Sequence, residues 1–302
     1  GKGTGKEQDK EGEVADKIGS CFHKGCGDES SQQAGRYPEA ARRGSTIVTG
    51  TLEDDSRVSA VEHVMVRNGA IDMAAAAEHG VTVCGTAGSS AATEEMILAL
   101  IQAVVRHIPQ EDRATRAGRW QTGVGWNLAG RTLGLVGLGR LGARTAAIAN
   151  FFNMRIIAWS QNLTPERARD RSAELVTKAE LFQQADIVSI HLILSERSRG
   201  LIGADDLALM KPKSYFVNTS RGPIVDEGAL LDVLRQGRIA GAALDVFDQE
   251  PLPRDHPFLS LENTIISPHM AYVTEENLTQ FYRETVEDIA AWLNGRSVRV
   301  LE

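Results

Sequence analysis

The pattern of apolar and polar residues changes along the chain. Residues 1–45 carry few large apolar side chains and are rich in Gly, Lys, Glu, Asp, Ser and Gln. Because so little apolar burial would hardly offset the entropy of ordering, we expect this segment to be disordered or atypical. Beyond it, short strands are predicted at Ser45–Thr49, His63–Val66 and Val81–Val83, and a helix at Ile71–His79.

A long amphipathic helix is predicted from Ala92 to Ile108. Met96, Leu100 and Val104 recur at four-residue spacing, so they share one face of this helix. Pro109 follows directly and favours a helix end at this point.

From Arg131 onward, short apolar segments alternate with helical ones. The predicted strands are Thr132–Val136, Arg155–Trp159, Ile187–His191, Ser214–Val217, Ile239–Leu244 and Thr264–Ile266. The predicted helices are Leu141–Phe152, Ala179–Gln184, Glu227–Gln236 and Asn277–Asn294. Apolar strands joined by helices indicate right-handed crossovers and a parallel sheet covered on both faces. The predicted fold class is therefore α/β with a doubly wound parallel sheet.

Length and charge limit the classes of partner. The chain has 302 residues, enough for two domains, and a formal net charge of −7. General binding to nucleic acid needs a surplus of lysine and arginine, so no nucleic-acid partner is expected. No apolar run reaches about 18 residues, so no membrane span or membrane partner is predicted.

Cysteine usage bears on compartment and metal binding. The chain has three cysteines, Cys21, Cys26 and Cys84, which are too few for a disulfide framework and indicate a reducing, cytoplasmic location. Cys21, His23 and Cys26 offer three soft metal ligands close together, but a structural zinc site usually takes four from two separated pairs. No metal is predicted, and whether this cluster binds anything stays open.

A glycine motif predicts a dinucleotide site. Gly137, Gly139 and Gly142 form G-x-G-x-x-G between a predicted strand and a predicted helix, which is the context the motif requires. The first glycine permits a tight turn, the second lets the backbone approach a pyrophosphate, and the third lets the helix pack on the strand. With Arg140 and Leu141 at the helix N-terminus, these residues are predicted to bind the cofactor of a Rossmann-type domain. A glycine-rich turn in another α/β domain is the alternative.

The end of the second strand leaves the choice of cofactor open. Trp159 is followed by Ser160, Gln161 and Asn162, with no carboxylate to bond the ribose 2′-OH of NAD. NADP is therefore possible as well, although Arg167 and Arg169 are the nearest downstream arginines and neither adjoins Ser160. The sequence predicts NAD or NADP, with Ser160 among the cofactor contacts.

Three further segments carry a family resemblance. Together with the glycine motif, Val217–Glu227, Ala243–Pro253 and Ser267–Met270 closely resemble the D-isomer-specific 2-hydroxyacid dehydrogenases. The resemblance implies an enzyme that transfers a hydride between NAD(P)H and C2 of a small 2-keto or 2-hydroxy acid, working as a homodimer. It also implies a smaller, flavodoxin-like substrate domain beside the Rossmann-type one. The expected domains are residues 46–91 with 273–302 for substrate and residues 92–272 for the dinucleotide.

The resemblance implies catalytic roles for three residues. Arg221 would bind the substrate carboxylate and polarise the C2 carbonyl, which suits a guanidinium fork. His269 would be the acid/base, because an imidazole exchanges protons readily near neutral pH. Glu250 would bond the far imidazole nitrogen, fix its tautomer and favour the protonated ring. Surface turn residues of a generic α/β domain are the alternative for each.

Further contacts are implied by the same resemblance. Those predicted for the cofactor are Ser195, Thr219, Ser220, Asp245 and Ala271. Asp245 would hold the nicotinamide carboxamide, although a buried helix cap is an alternative. Those predicted for the substrate carboxylate are Arg67, Asn68 and Gly69, where a plain turn is nearly as well supported.

The sequence departs from the family at several positions. Ile193 stands where the family usually has proline, and Met270-Ala271-Tyr272 stands where it often has two glycines. Trp120, Trp126 and Phe281 are candidates for the pocket or a dimer arm, but core packing is the preferred interpretation.

Two competing functions remain on this fold. One is an NAD(H)-sensing corepressor of the C-terminal-binding-protein type, which keeps the same Arg, Glu and His. The other is a formate or phosphite dehydrogenase. Of these two, the formate enzyme is expected to have glutamine at position 250.

Overall fold

A computed structural model describes residues 81–301 of the chain. The predictions for Ser45–Thr49, His63–Val66, Ile71–His79, Cys21, His23, Cys26, Arg67, Asn68 and Gly69 lie outside the described residues. The described chain divides into two compact units, residues 90–272 and residues 81–89 with 273–301.

The larger unit is built on a seven-stranded sheet in which every neighbouring pair is parallel. The strands are β1 Thr132–Val136, β2 Arg155–Trp159, β3 Glu174–Leu175, β4 Ile187–Ile190, β5 Tyr215–Asn218, β6 Gly241–Leu244 and β7 Thr264–Ile266. Their order across the sheet is β3-β2-β1-β4-β5-β6-β7, so the direction of winding reverses between β1 and β4. In such sheets, ligands bind outside the carboxyl ends of the strands at that reversal.

Two of the helices described in the larger unit precede β1, and the others lie between successive strands. The helices are α1 Ala91–Val105, α2 Ile108–Arg116, α3 Arg140–Phe151, α4 Pro165–Arg169, α5 Lys178–Gln184, α6 Ala204–Ala208 and α7 Glu227–Arg235. Side-chain hydrogen bonds cap the N-termini of several of these helices. Thr177 and Glu180 form a reciprocal capping box at α5, and Asp226 Oδ1 accepts from the Ala229 N–H at 2.9 Å at α7.

Alternate residues of the strands face two separate hydrophobic layers. Phe216 of β5 packs in one layer with Phe182 and Phe258, whereas Tyr215 and Val217 belong to the other. All residues of β1, β4, β5 and β6 are buried, as expected for parallel strands covered by helices on both faces. The predicted α/β fold class is confirmed.

Several predicted element boundaries are wrong. The helix predicted over Ala92–Ile108 ends at Val105, because His107 adopts a left-handed conformation with φ 56°. Pro109 does not end this helix but lies in the first turn of α2, where its missing N–H costs nothing. Val81–Val83 forms no strand. Cys84 instead pairs with Val300 in an isolated antiparallel bridge.

The second unit is described by its C-terminal helix α8, Glu275–Leu293, and the segments packed on it. The Asn277 side chain both accepts from the Ser89 N–H at 2.8 Å and donates to the Ser89 carbonyl at 3.3 Å. Arg299 pairs with Asp288 at 2.8 Å and Glu287 at 2.9 Å, which ties the C-terminal segment to the helix. None of the helices described within residues 81–301 combines the length and apolar character needed to cross a membrane.

Candidate active site

The sequence-predicted site residues of the larger unit all follow the carboxyl end of a sheet strand. The glycine turn follows β1, Ser160 follows β2, Ser195 follows β4, Thr219 to Arg221 follow β5, Asp245 and Glu250 follow β6, and His269 and Ala271 follow β7. Because parallel strands end at one edge of the sheet, these loops lie along the same edge. Arg67, Asn68 and Gly69 lie outside the described residues.

The turn after β1 requires glycine at two positions. Gly137 has φ 102°, and its N–H donates to the Trp159 carbonyl at 2.8 Å, which joins the turn to the end of β2. A Cβ at Gly137 would come within 2.7 Å of the His191 carbonyl oxygen, and one at Gly142 would overlap the Gly137 carbonyl. A side chain at either position would therefore force the strand, turn and helix apart.

The space beside Gly139 fits a dinucleotide phosphate. A Cβ at Gly139 would meet no atom within 4 Å, so this backbone faces open space. Gly139 is also the N-cap of the twelve-residue helix α3, which receives no side-chain cap and has Arg140 as its first residue. Free N–H groups, the helix dipole and a cation together suit a pyrophosphate. Leu141, also in this first turn, is half-buried.

His269 and Glu250 form a close pair. Glu250 Oε2 lies 2.6 Å from His269 Nδ1, and the two side chains are 17% and 16% exposed. Glu250 Oε1 accepts from the Phe247 N–H at 2.9 Å, so the carboxylate is itself held by its loop. The second ring nitrogen of His269, Nε2, is the one that this pair leaves for a substrate. His269 also has φ 53°, a conformation that non-glycine residues adopt mainly where surrounding contacts enforce it.

Asp245 accepts the hydrogen bonds that hold the backbone around His269. This carboxylate is fully buried and accepts from the Ser267 hydroxyl and from the Met270 and Ala271 N–H groups, both at 2.9 Å. Burial raises the pKa of Asp245, while the three donors act against that rise. Three of its acceptor sites thus hold the loop that carries His269. This structural role of Asp245 was not predicted from the sequence.

Arg221 lies in a loop that Asn218 organises. The Asn218 side chain donates to the Arg221 carbonyl at 3.0 Å and accepts from the Ser220 N–H at 3.0 Å. The Ser220 hydroxyl donates to the Leu192 carbonyl, which joins this loop to the one after β4. The Arg221 guanidinium is exposed and donates to the Ser220 carbonyl at 2.7 Å, whereas Thr219 is buried. Asn218 was missed by sequence reasoning, although a polar residue ending a buried strand is a usable signal.

Ser195 and Ser160 lie in neighbouring loops. The Ser195 N–H donates to the Ser198 hydroxyl at 2.7 Å, and that hydroxyl donates to the Ile193 carbonyl at 2.7 Å, so the loop is closed on itself. Ile193, where the family usually has proline, is 88% exposed. Ser160 is half-buried and its carbonyl accepts from the Leu163 N–H at 3.2 Å.

A second histidine–glutamate pair supports the loop that bears Glu250. His256 Nε2 lies 3.0 Å from Glu227 Oε1, and Glu227 Oε2 accepts from the Asp248 N–H at 3.1 Å. His256 Nδ1 accepts from the Phe258 N–H at 3.3 Å, so Nε2 carries the proton and donates to Glu227. This pair joins the start of α7 to the segment after β6. No sequence motif pointed to it.

His191 is a buried imidazole beside the glycine turn. The residue is half-buried overall, but both ring nitrogens are buried and neither has a hydrogen-bond partner within residues 81–301. Burial lowers the pKa of His191 from 6.5 to about 4. The ring is therefore neutral in the folded protein at physiological pH.

This burial predicts a pH-dependent loss of stability. Because the pKa is lower in the folded state, the contribution of His191 is complete above pH 6.5 and is lost as the pH falls to about 4. Over that window, the wild type should lose on the order of 3 kcal/mol of unfolding free energy that the non-titrating variant His191→Gln retains. Urea unfolding of both proteins at pH 4.5–7.5 measures this difference, and parallel pH profiles would contradict the prediction.

The aromatic candidates separate into two groups. Trp126 packs at 5.6 Å from the Tyr215 ring with the Arg131 guanidinium over its own ring, and Phe281 is half-buried. Trp120, in contrast, is 77% exposed, so the expectation of core packing is wrong for this residue. Trp120 lies in the segment without regular secondary structure after α2, where the sequence shows no amphipathic pattern to place it.

Comparisons with family models, curated relatives and solved structures all indicate the same family. The NAD-binding domain of the D-isomer-specific 2-hydroxyacid dehydrogenases matches residues 98–271. The chain is similar to the glyoxylate reductase of Aeropyrum pernix, with 38% identity over 266 residues, 83% of this chain and 79% of the relative. It is similar to the crystal structure of a phosphoglycerate oxidoreductase from Vibrio cholerae, with 37% identity and a TM-score of 0.71 over 74% of this chain and 73% of that one. It also resembles a D-lactate dehydrogenase from Aquifex aeolicus, solved with NAD and lactic acid, at 26% identity and a TM-score of 0.65 over 74% and 73% of the two chains.

The matched region contains the glycine turn, Arg221, Glu250 and His269. The family resemblance, the enzyme class and the cofactor class predicted from the sequence are confirmed, and the corepressor and formate or phosphite alternatives are not favoured. The chain belongs to the D-isomer-specific 2-hydroxyacid dehydrogenases, oxidoreductases that bind NAD or NADP and transfer a hydride to or from C2 of a small 2-keto or 2-hydroxy acid.

Proposed function

We propose that this chain reduces a small, unphosphorylated 2-keto acid of the glyoxylate class to the 2-hydroxy acid, giving the D isomer where C2 is chiral. The observation that carries the proposal is the 2.6 Å pair between His269 Nδ1 and Glu250 Oε2 at the carboxyl edge of the sheet. The similarity to a glyoxylate reductase along most of that relative's length supports the substrate class.

His269 is the proposed proton donor. A nicotinamide cofactor held at the glycine turn would supply the hydride for C2, and the carbonyl electron pair would then move to the substrate oxygen. That oxygen takes the proton from His269 Nε2, because Nδ1 faces Glu250. The Glu250 carboxylate stabilises the protonated ring and fixes its orientation. In the oxidation direction, the neutral ring takes the proton back.

Arg221 is the proposed anchor for the substrate. Its guanidinium can bind the planar carboxylate of a 2-keto acid through two donors and polarise the adjacent carbonyl. Gly137, Gly139 and Gly142 let the backbone approach the dinucleotide, and Arg140 adds a cation there. The other proposed cofactor contacts are Leu141, Ser160, Ser195, Thr219, Ser220, Asp245 and Ala271, and the other proposed substrate contacts are Arg67, Asn68 and Gly69.

We propose residues 92–272 as the dinucleotide-binding domain and residues 46–91 with 273–302 as the substrate domain. A homodimer is also proposed, supported by the exposed Trp120 and Val124, two large apolar side chains that a second copy would cover. The proposal of a cytoplasmic location rests on cysteine usage alone.

A keto-acid panel tests the proposed function. Oxidation of NADH and NADPH is followed at 340 nm with glyoxylate, hydroxypyruvate, pyruvate and 3-phosphohydroxypyruvate. We expect the best unphosphorylated acid to exceed the phosphorylated one at least about tenfold in kcat/KM, which corresponds to about 1.4 kcal/mol. In the reverse direction, D-lactate and L-lactate serve as a matched pair, of which only the D isomer should react. No turnover with any acid, or a preference for the phosphorylated one, would refute the proposal.

A further inference from the structure

The turn that follows β2 contains no carboxylate and lies beside the exposed guanidinium of Arg167. Ser160, Gln161 and Asn162 form this turn. Arg167 Nη1 donates to the Asn162 carbonyl at 3.4 Å, so α4 brings the Arg167 guanidinium back onto the turn. Although four residues lie between Asn162 and Arg167 in sequence, the two residues are therefore in contact and can act together.

The backbone of a second arginine, Arg197 in the loop after β4, also lies beside the turn. Gln161 Nε2 donates to the Arg197 carbonyl at 3.5 Å, which places residue 197 beside the turn. Both Arg167 and Arg197 are exposed, and neither forms an ion pair with any residue between 81 and 301.

Arg169 differs from Arg167 in this respect. Its Nη2 pairs with Glu166 Oε1 at 3.2 Å, on the same short helix. Arg169 thus already has a carboxylate partner on its own helix. Of the two nearest arginines downstream of Ser160, Arg167 and Arg169, the structure brings the unpaired Arg167 to the turn.

This turn is next to the glycine motif. Trp159, the last residue of β2, accepts from the Gly137 N–H at 2.8 Å. In Rossmann-type domains, the end of the second strand faces the ribose of the adenosine half, where a carboxylate bonds the 2′-OH of NAD and an arginine accommodates the 2′-phosphate of NADP. A phosphate group also repels a carboxylate and is bound well by guanidinium and hydroxyl groups.

We propose that Arg167, with Ser160 and Arg197, forms a subsite for the 2′-phosphate, so that the chain prefers NADP(H) to NAD(H). The proposal rests on the proposed function, because it requires a dinucleotide on the glycine turn. Beyond the proposed function, it specifies that the preferred cofactor carries a phosphate on its adenosine ribose. It also assigns the recognition of that phosphate to Arg167 rather than Arg169.

Calorimetric titration with NADPH and NADH, without substrate, tests the subsite. The wild type should bind NADPH at least about tenfold more tightly than NADH, because a charge-assisted hydrogen bond contributes roughly that factor. Arg167→Ala should raise the Kd for NADPH about tenfold and leave that for NADH unchanged. The matched control is Arg169→Ala, which removes an equal charge two residues away and should change neither Kd more than about twofold.

Two additional measurements sharpen the result. Ser160→Asp introduces the missing carboxylate and should weaken NADPH binding selectively. The pair 2′,5′-ADP and 5′-ADP isolates the phosphate from the nicotinamide half, and the preference for 2′,5′-ADP should shrink as salt is raised.

NADH binding as tight as NADPH binding would overturn the subsite, as would an Arg167→Ala effect of equal size on both cofactors. If keto acids were still reduced in that case, the proposed function would stand and the subsite alone would fall. If neither NADPH nor NADH bound, both the subsite and the proposed function would be overturned.

Discussion

Replacing His269 by alanine is expected to lower kcat for keto-acid reduction by about 10²–10⁴-fold, the usual contribution of a positioned general acid. The variant loses the one ring whose Nδ1 is fixed 2.6 Å from Glu250 Oε2 and whose Nε2 would protonate the substrate oxygen. Cofactor affinity should stay within about threefold, because none of the glycine-turn contacts involves this side chain. Steady-state kinetics and calorimetric titration of the cofactor measure the two effects.

The second histidine–glutamate pair provides the control. His256 lies 3.0 Å from Glu227 with the two side chains 14% and 20% exposed, close to the 16% and 17% of His269 and Glu250. His256→Ala removes the ring but retains the bond from the Asp248 N–H to Glu227, so kcat should change by no more than about threefold. Equal losses in the two variants would mean that both rings act by holding loops, and that His269 is not the acid.

The main strands could be predicted because their sequences are continuous apolar runs. β1, β2 and β7 match the predicted ranges, and β4 ends one residue earlier than predicted, at Ile190. β3 has only two residues, Glu174 and Leu175, and it forms by pairing with β2. No local sequence pattern therefore predicts this strand. The short helices α4 and α6 were also missed, because five residues are too few to show a helical periodicity.

The break between α1 and α2 shows a different limit. Apolar spacing continues through Ile108, so periodicity alone predicts one helix. The structure breaks it at His107, whose Nε2 lies 2.9 Å from the Tyr215 hydroxyl, a contact 108 residues away in sequence. A tertiary contact of this kind accompanies a local conformation that propensity does not favour.

The site divides in the same way. The glycine turn and the segments around Arg221, Glu250 and His269 are local motifs, so the sequence identified them. The roles of other groups depend on distant partners: Asp245 holds residues 22 to 26 positions away, and Glu227 binds His256 across 29 positions. Such long-range contacts depend on the whole fold, so no local pattern in the sequence predicts them.

A glycine holds two of these loops together. Gly222 directly follows Arg221, and a Cβ built on it would overlap the backbone carbonyl of Phe247 and approach the Asp248 nitrogen. The loops that carry Arg221 and Glu250 therefore touch backbone to backbone. Since φ at Gly222 is not positive, sterics alone exclude a side chain there.

Gly222→Ala is therefore expected to be strongly destabilising. The neighbouring atoms are backbone and cannot rotate away, so the loops must separate, at a cost on the order of 3 kcal/mol in unfolding free energy. A shift of about 1 Å between Arg221 and Glu250 should also lower kcat/KM about 100-fold. The matched control is Gly228→Ala in the first turn of α7, where a Cβ would meet its nearest atom at 3.4 Å. That change should instead stabilise the protein by up to about 1 kcal/mol through helix propensity, with unchanged kinetics. Urea unfolding and steady-state assays on both variants distinguish the sites, and equal effects at the two glycines would show that the loop contact does not position Arg221.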